Sequence, residues 1–210
     1  MNISVWNKLS RKYDNLWLQK YSLLPTRKKV IEIISSRYGS DSDISLFDSG
    51  CGTGQFLKEI KDTYPKILLS GMDIAAEMIN IAKEKQIQAT FLNGNICDIS
   101  LKNHIPENSI DIVSCCHSFP YYLDKKKALR NIHDILKPGG YAIFVQGSVN
   151  NFYDKMIMRI IAKTTSESEY LSKQDMCDLV KDYFDVEDVF TIRERFYMAS
   201  ICGFVVRKST

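Results

Sequence analysis

No stretch of this 210-residue chain approaches the ~18 consecutive apolar residues that a bilayer-spanning helix needs, so no such span is expected. The opening, Met1-Asn2-Ile3-Ser4-Val5-Trp6, lacks a basic segment followed by an apolar block. No secretory leader is therefore expected, and the protein is read as cytoplasmic. Cysteines at 51, 97, 115, 116, 177 and 202 form no C-x-x-C pair, which argues against a zinc site. They read as buried free thiols in a reducing compartment, and no metal site is expected. Internal repeats are absent. A strong excess of one charge is also missing: 28 Lys and Arg against 25 Asp and Glu leave +3, too little to imply nucleic acid.

What is present is ordinary for one globular domain: 45% apolar and 25% charged residues. The charge is unevenly placed. Residues 1–29 hold Lys8, Arg11, Lys12, Lys20, Arg27, Lys28 and Lys29 against Asp14 alone. Such a run is a solvated helix face, or a means of attracting an anionic substrate or a membrane surface.

The organising stretch is Leu46-Phe47-Asp48-Ser49-Gly50-Cys51-Gly52-Thr53-Gly54-Gln55-Phe56. An apolar strand ends in an acid, glycines follow at every second position, and a helical pattern begins at Gln55. Strand, tight glycine turn and helix bring backbone close to a ligand, with helix-start N–H groups facing it. The dinucleotide fingerprint G-x-G-x-x-G is not matched, because Gln55 stands where its third glycine belongs. A nicotinamide dehydrogenase is disfavoured on that spacing.

The segment resembles motif I (D-x-G-C-G-T-G) of the class I S-adenosylmethionine-dependent methyltransferases, in particular the small-molecule, type 11 or UbiE-like kind. The resemblance spans residues 40–207 and implies an α/β, Rossmann-like sheet of seven strands in the order 3-2-1-4-5-7-6. In that order the last strand is antiparallel, and helices cover both faces. The chain is expected to form a single domain over 1–210, with a helical lid over 1–38, a core over 40–207 and an insertion at 147–172 forming part of an acceptor pocket.

Taken in order, Trp6, Leu9, Tyr13, Leu16, Trp17 and Tyr21 recur at helical spacing, and Pro25 starts a second helix. Strands are expected at 44–48, 67–72, 89–94, 110–116, 141–145, 184–192 and 198–206. Helices are expected at 54–63, from Ala75 to Lys85, over 123–136 and 152–162, and from Ser172 to about Tyr183. Lys137-Pro138-Gly139-Gly140 reads as a tight turn ending the 123–136 helix. Gly203 reads as a bulge in the last strand, and Arg193-Glu194-Arg195 as a solvated turn.

Asp73 ends the second strand about 20 residues past the glycines, placed to accept bonds from ribose hydroxyls; its structural alternative is a helix N-cap. The resemblance implies a cofactor site made by Tyr13, Asp48, Gly50, Cys51, Gly52, Gly54, Asp73, Ile74, Met78, Asn95, Ile96 and Cys116. Asn95 stands where many relatives carry the acid that bonds the adenine amine, and Asp98 is a second candidate for that contact. The fourth strand empties into His117-Ser118-Phe119-Pro120-Tyr121-Tyr122. Ser118-Phe119-Pro120-Tyr121 resembles the [N/D/S]-P-P-[Y/F] motif of enzymes that methylate amide or base nitrogens, departing from it at Phe119. Trp17, Phe119, Tyr121, Tyr122 and Phe152 are candidate acceptor-pocket residues.

The implied cofactor is S-adenosyl-L-methionine, leaving as S-adenosyl-L-homocysteine. The implied reaction is in-line methyl transfer to an oxygen, nitrogen or sulfur of a small molecule. His117, in the cleft and of suitable titration range, is the candidate to deprotonate or orient the acceptor; alternatively it is a polar loop histidine. An RNA- or protein-directed methyltransferase and an inactive cofactor-binding protein are the alternative readings. A monomer or homodimer is expected.

Overall fold

The computed structural model describes residues 3–98, 104–165, 168–193, 195 and 198–209, with backbone alone at 163–165. Glu194 of the expected turn and residues 166–167 of the expected insertion lie outside the described residues.

Two helices open the chain: α1 (Ile3–Tyr13) and α2 (Leu24–Ser35), joined through a π-helical turn at Gln19–Leu23. Pro25 lies in the first turn of α2, directly after the π-helical turn. The core then alternates β1 (Ser45–Ser49), α3 (Gln55–Thr63), β2 (Leu68–Asp73), α4 (Ala76–Glu84), β3 (Thr90–Asn93) and β4 (Ile110–Cys116). A short 3-10 turn at Phe119–Tyr121 leads to α5 (Lys125–Ile135) and β5 (Leu136–Gly147). The chain ends with α6 (Phe152–Thr165), α7 (Lys173–Val180), β6 (Asp185–Ile192) and β7 (Ile201–Arg207).

The seven strands lie in the order β3-β2-β1-β4-β5-β7-β6, with β7 antiparallel to both its neighbours. β1 is buried along its whole length, as a central parallel strand covered on both faces must be. Successive side chains point to opposite faces, so Leu46 joins Val30, Leu57, Ile60 and Val145 under α2 and α3. Its neighbour Phe47 joins Leu129, Ile132, Phe144 and Val180 under α5 and α7. Ser172 caps α7 by accepting from the Asp175 N–H, and Asp124 caps α5 through the Lys127 N–H.

Two local expectations are corrected. Residues 137–140 are not a turn between helix and strand. β5 begins at Leu136, and the register with β4 jumps from Ile110–Leu136 to Ile112–Tyr141. The four residues bulge out, and Lys137 pairs with Asp111 at 2.7 Å. Lys208 closes this corner. Its ammonium donates to the carbonyls of His133 (2.7 Å) and Leu136 (2.8 Å), capping the end of α5 from just past β7. Gly203 is no bulge either: it pairs regularly with Val145 and Phe190. A Cβ there would lie 2.0 Å from the Phe190 ring, so the glycine makes room for an aromatic ring. The irregularity in β6 is at Val186/Asp188 instead.

Candidate active site

The site lies where open parallel sheets place theirs, beyond the carboxyl ends of the strands beside the point where strand order reverses. Here β1 lies between β2 and β4, and their three loops meet. The glycine loop folds back onto β2: the N–H groups of Gly50 and Cys51 both donate to the Met72 carbonyl (2.8 and 2.9 Å). Gly50 has φ +82°, and a Cβ would overlap the Ser118 Cβ at 2.3 Å, so this close approach requires glycine. Three of the loop's N–H groups are thereby used internally, since Gly52 donates to Asp73. They shape a cleft rather than point into it.

Asp73 is half-buried and lines that cleft. One carboxylate oxygen accepts from the Gly52 N–H and the other from the Ala75 N–H, both at 2.9 Å. The helix-cap reading and the cleft reading are thus both realised by one side chain. Burial raises its carboxyl above the ordinary range, opposed by those backbone bonds. Ile74, Met78 and Ile96 line the cleft beside it, and Gly94 and Asn95 close its far side. Asn95 also turns its carboxamide oxygen onto the Cys97 N–H (3.0 Å). Asp98 does not line the cleft.

At the β4 end the cleft is polar and then aromatic. The hydroxyls of Ser49 and Tyr122 share a 2.6 Å bond, and Ser118 donates to the Ser49 carbonyl at 2.7 Å. Cys116, His117 and Tyr121 continue the wall, and Trp6 and Tyr13 of α1 cover it. The N-terminal helix is pinned there. Asp14 accepts from the Thr53 hydroxyl (2.5 Å) and pairs with Lys85 (2.6 Å), so α1 is tied both to the glycine loop and to the end of α4. Arg27 is buried, bonding Glu59 of α3 and Gln19 of the π-helical turn.

His117 holds a left-handed backbone (φ +59°), with its N–H on the Val145 carbonyl at 2.6 Å. Its Nε2 shares a 2.8 Å hydrogen bond with the Thr26 hydroxyl. Burial, then the nearby Arg27 charge, push its pKa down to about 4, so the ring is neutral through the physiological range.

Of the expected cofactor residues, Tyr13, Gly50, Gly52, Asp73, Ile74, Met78, Asn95, Ile96 and Cys116 line the cleft. Asp48, Cys51 and Gly54 do not. Asp48 lies beneath the loop, bonded to the Ser114 hydroxyl at 2.7 Å. Cys51 packs beneath Gly71, and Gly54 packs against Ala82, Ile87 and Phe91. The sequence reading missed Trp6, Ser49, Met72, Gly94 and Ser118 as cleft residues. Ser49 had a signal, since it sits inside the glycine motif.

A second cavity opens beyond His117. It shares Trp6, Tyr13, His117 and Tyr121 with the cleft, and adds Leu9, Leu16, Trp17, Leu23, Ile157, Met158, Ile161, Tyr170 and Met198. Two expected acceptor residues are corrected. Phe119 is fully buried against Phe144, and Phe152 is 85% exposed with its ring outside the cavity. Trp17 and Tyr121 do line it, whereas Tyr122 faces the cleft.

A family model described as a methyltransferase domain matches residues 47–144, from β1 into β5. An uncharacterised protein of Methanocaldococcus jannaschii, MJ1252, is 30% identical over 193 residues, covering 91% of this chain and 68% of its own. The ubiquinone/menaquinone biosynthesis C-methyltransferase UbiE of Campylobacter jejuni is 26% identical over 206 residues, covering 88% of this chain and 86% of its own. The chain belongs to the S-adenosylmethionine-dependent methyltransferases. A methyltransferase solved with the Trm112 activator of Haloferax volcanii has the same fold (TM-score 0.78, 16% identity, 98% of both chains). As a member of that family, this methyltransferase uses S-adenosylmethionine. Its cleft fits that molecule in kind: a carboxylate at the β2 end for sugar hydroxyls, apolar walls for a flat base, and clustered hydroxyls for a charged amino-acid end.

Proposed function

We propose that this methyltransferase acts on a small, uncharged, largely apolar acceptor bearing an oxygen, nitrogen or sulfur nucleophile. One observation carries the reading. The cavity beyond His117 has no Asp, Glu, Lys or Arg among the described residues that line it. A charged acceptor buried there would lose its hydration without a compensating partner, at a cost of several kcal/mol. The same argument disfavours RNA, whose phosphates need cations.

The cofactor supplies a methyl group already activated by a sulfonium. The protein's part is to hold the acceptor in line and exclude water. Asp73 is the residue for the ribose hydroxyls, Asn95 and Ile96 for the base, and Tyr13 and Trp6 for closing the cleft over the reacting end. His117 and Tyr121 stand at the junction of cleft and cavity. A histidine pushed down to about 4 is a weak base. Its neutral ring, fixed by Thr26, supports orienting the acceptor by a hydrogen bond over stripping its proton in advance. The whole described chain acts as one domain, with α1, the π-helical turn and α6 forming the acceptor side.

The test is turnover of radiolabelled cofactor on matched acceptors, for instance neutral phenols and thiols against their carboxylated counterparts. Neutral acceptors should win by at least ~100-fold, the ratio to which a cost of several kcal/mol for one uncompensated buried charge corresponds. Preference for the charged member, or for RNA, would overturn the reading. Turnover unchanged in His117→Ala would remove that residue from it.

A further inference from the structure

A helix packed on a globular core turns its apolar side inward. α6 is apolar on two sides. Ile157, Met158 and Ile161 line the acceptor cavity. Phe152, Met156 and Ile160, at i, i+4 and i+8, form an outward stripe 85%, 45% and 56% exposed. Trp17 of the lid lines the same cavity yet is 69% exposed, so it stands at the cavity's rim. The exposed apolar surface thus adjoins the cavity.

The exposed charged side chains described on α6 are all cationic. On α6 itself Lys155 and Arg159 are exposed, and on the lid so are Lys8, Arg11, Lys12 and Lys20. None of these six has an acidic partner among the described residues. Asp14, the acid of the lid, is taken by Lys85, and Asp154 of α6 is fully buried with Arg193 nearby. Arg195 adds a further cation, over the Tyr21 ring at 5.9 Å.

We propose that this face, the outer stripe of α6 with Trp17 and the flanking Lys and Arg, docks the methyltransferase on the surface of an anionic lipid bilayer. Docked so, it would open the acceptor cavity toward the membrane. Exposed aromatic and aliphatic side chains with cations beside them are the composition of an interfacial helix. Each cation near an anionic headgroup adds attraction that salt screens. A second copy of this chain would set the same cations against each other, so the charge pattern favours lipid. No described helix is long and apolar enough to cross the bilayer, so the contact is peripheral. Why a membrane should be met there rests on the apolar-acceptor reading; the binding itself is measured without any acceptor.

The experiment is flotation of the purified full chain with vesicles of phosphatidylcholine alone and with about a third phosphatidylglycerol, at low and physiological salt. Wild type should bind the anionic vesicles at least ~10-fold more than the neutral ones, less so as salt rises. The double variant Phe152→Ser/Ile160→Ser should lose most of that binding. Lys155→Glu/Arg159→Glu should lose the preference for anionic lipid. Calorimetric cofactor binding, expected unchanged in both, shows that they fold. No binding to anionic vesicles, or binding that neither pair of changes reduces, would overturn the proposal. So would a wild-type dimer, dissociated by the apolar double change, in protein that ignores vesicles. Binding that persists when matched acceptors prove charged would sink the acceptor reading and leave the docking intact.

Discussion

Replacing Asp48 by Asn tests the electrostatics beneath the glycine loop. Asp48 is 3% exposed, and it accepts a hydrogen bond from the Ser114 hydroxyl. Burial pushes its carboxyl up to about 7 from an ordinary 3.8; the Ser114 bond opposes this, and the nearby Asp73 charge adds to it. A raised carboxylate means that the native state holds the proton more tightly than the unfolded chain. Stability from this group is therefore present at low pH and lost as pH climbs from about 4 to about 7. At about 1.4 kcal/mol per pH unit the whole difference is about 4 kcal/mol, of which about 2–3 kcal/mol falls between pH 5 and pH 8. The Asn side chain cannot ionise and keeps an oxygen for Ser114. The gap in unfolding free energy between Asp48→Asn and wild type should therefore move by about 2–3 kcal/mol in the variant's favour from pH 5 to pH 8. Urea unfolding of both proteins at four pH values gives that gap directly, and titrations common to both cancel in it. A gap constant to about 0.5 kcal/mol would mean that Asp48 is ionised throughout, and the description of a dry site beneath the loop would be wrong.

Three further outcomes are expected. Asp73→Asn keeps the shape but sets an amide N–H₂ against one of the two backbone donors, Gly52 or Ala75; calorimetry should show cofactor affinity down at least ~10-fold, and unchanged affinity would dismiss the ribose role. Gly203→Ala places a Cβ 2.0 Å from Phe190 and should cost about 1–3 kcal/mol in urea unfolding, recovered mostly by adding Phe190→Val; a neutral single change would show that the ring moves freely. Thr26→Val removes the hydroxyl that fixes His117; kcat should fall ~10-fold with cofactor affinity unchanged, and Thr26→Ser should restore it, whereas equal loss in both variants would make Thr26 a packing residue only.

The sheet was legible because its strands obey simple rules. β1 and β4 are short apolar runs buried on both faces, and the glycine loop joins the first of them to a strongly amphipathic helix. The 3-2-1-4-5-7-6 order came from resemblance rather than from spacing, and the structure has it. What misled were residues whose local meaning is overridden at long range. Pro138-Gly139-Gly140 carry the chemistry of a turn, yet the segment is pinned between Asp111 and the Lys208 backbone, nearly 70 residues on. Gly203 carries the mark of a bulge, and its cause is a ring on the adjacent strand.

The site divides along the same line. Residues fixed by strand ends were readable: Asp73, Asn95, Ile96, Cys116 and His117 all line the cleft. Those whose facing depends on a turn's rotation were not. Phe119 and Tyr121 are two apart in a tight 3-10 turn, so one enters the core and the other reaches the cavity. Phe152 and Ile157 share α6, and only their angular separation on the helix decides which meets the acceptor and which meets the surroundings. Helical periodicity places such residues relative to one another, but the absolute rotation of α6 is set by its fully buried Asp154. That carboxylate accepts from the Ser200 N–H at 3.1 Å, next to the start of β7. A single buried acid thus turns Ile157 and Met158 inward and leaves Phe152 and Ile160 outside. This is why Phe152, which the resemblance assigns to a pocket, lies on an outer surface.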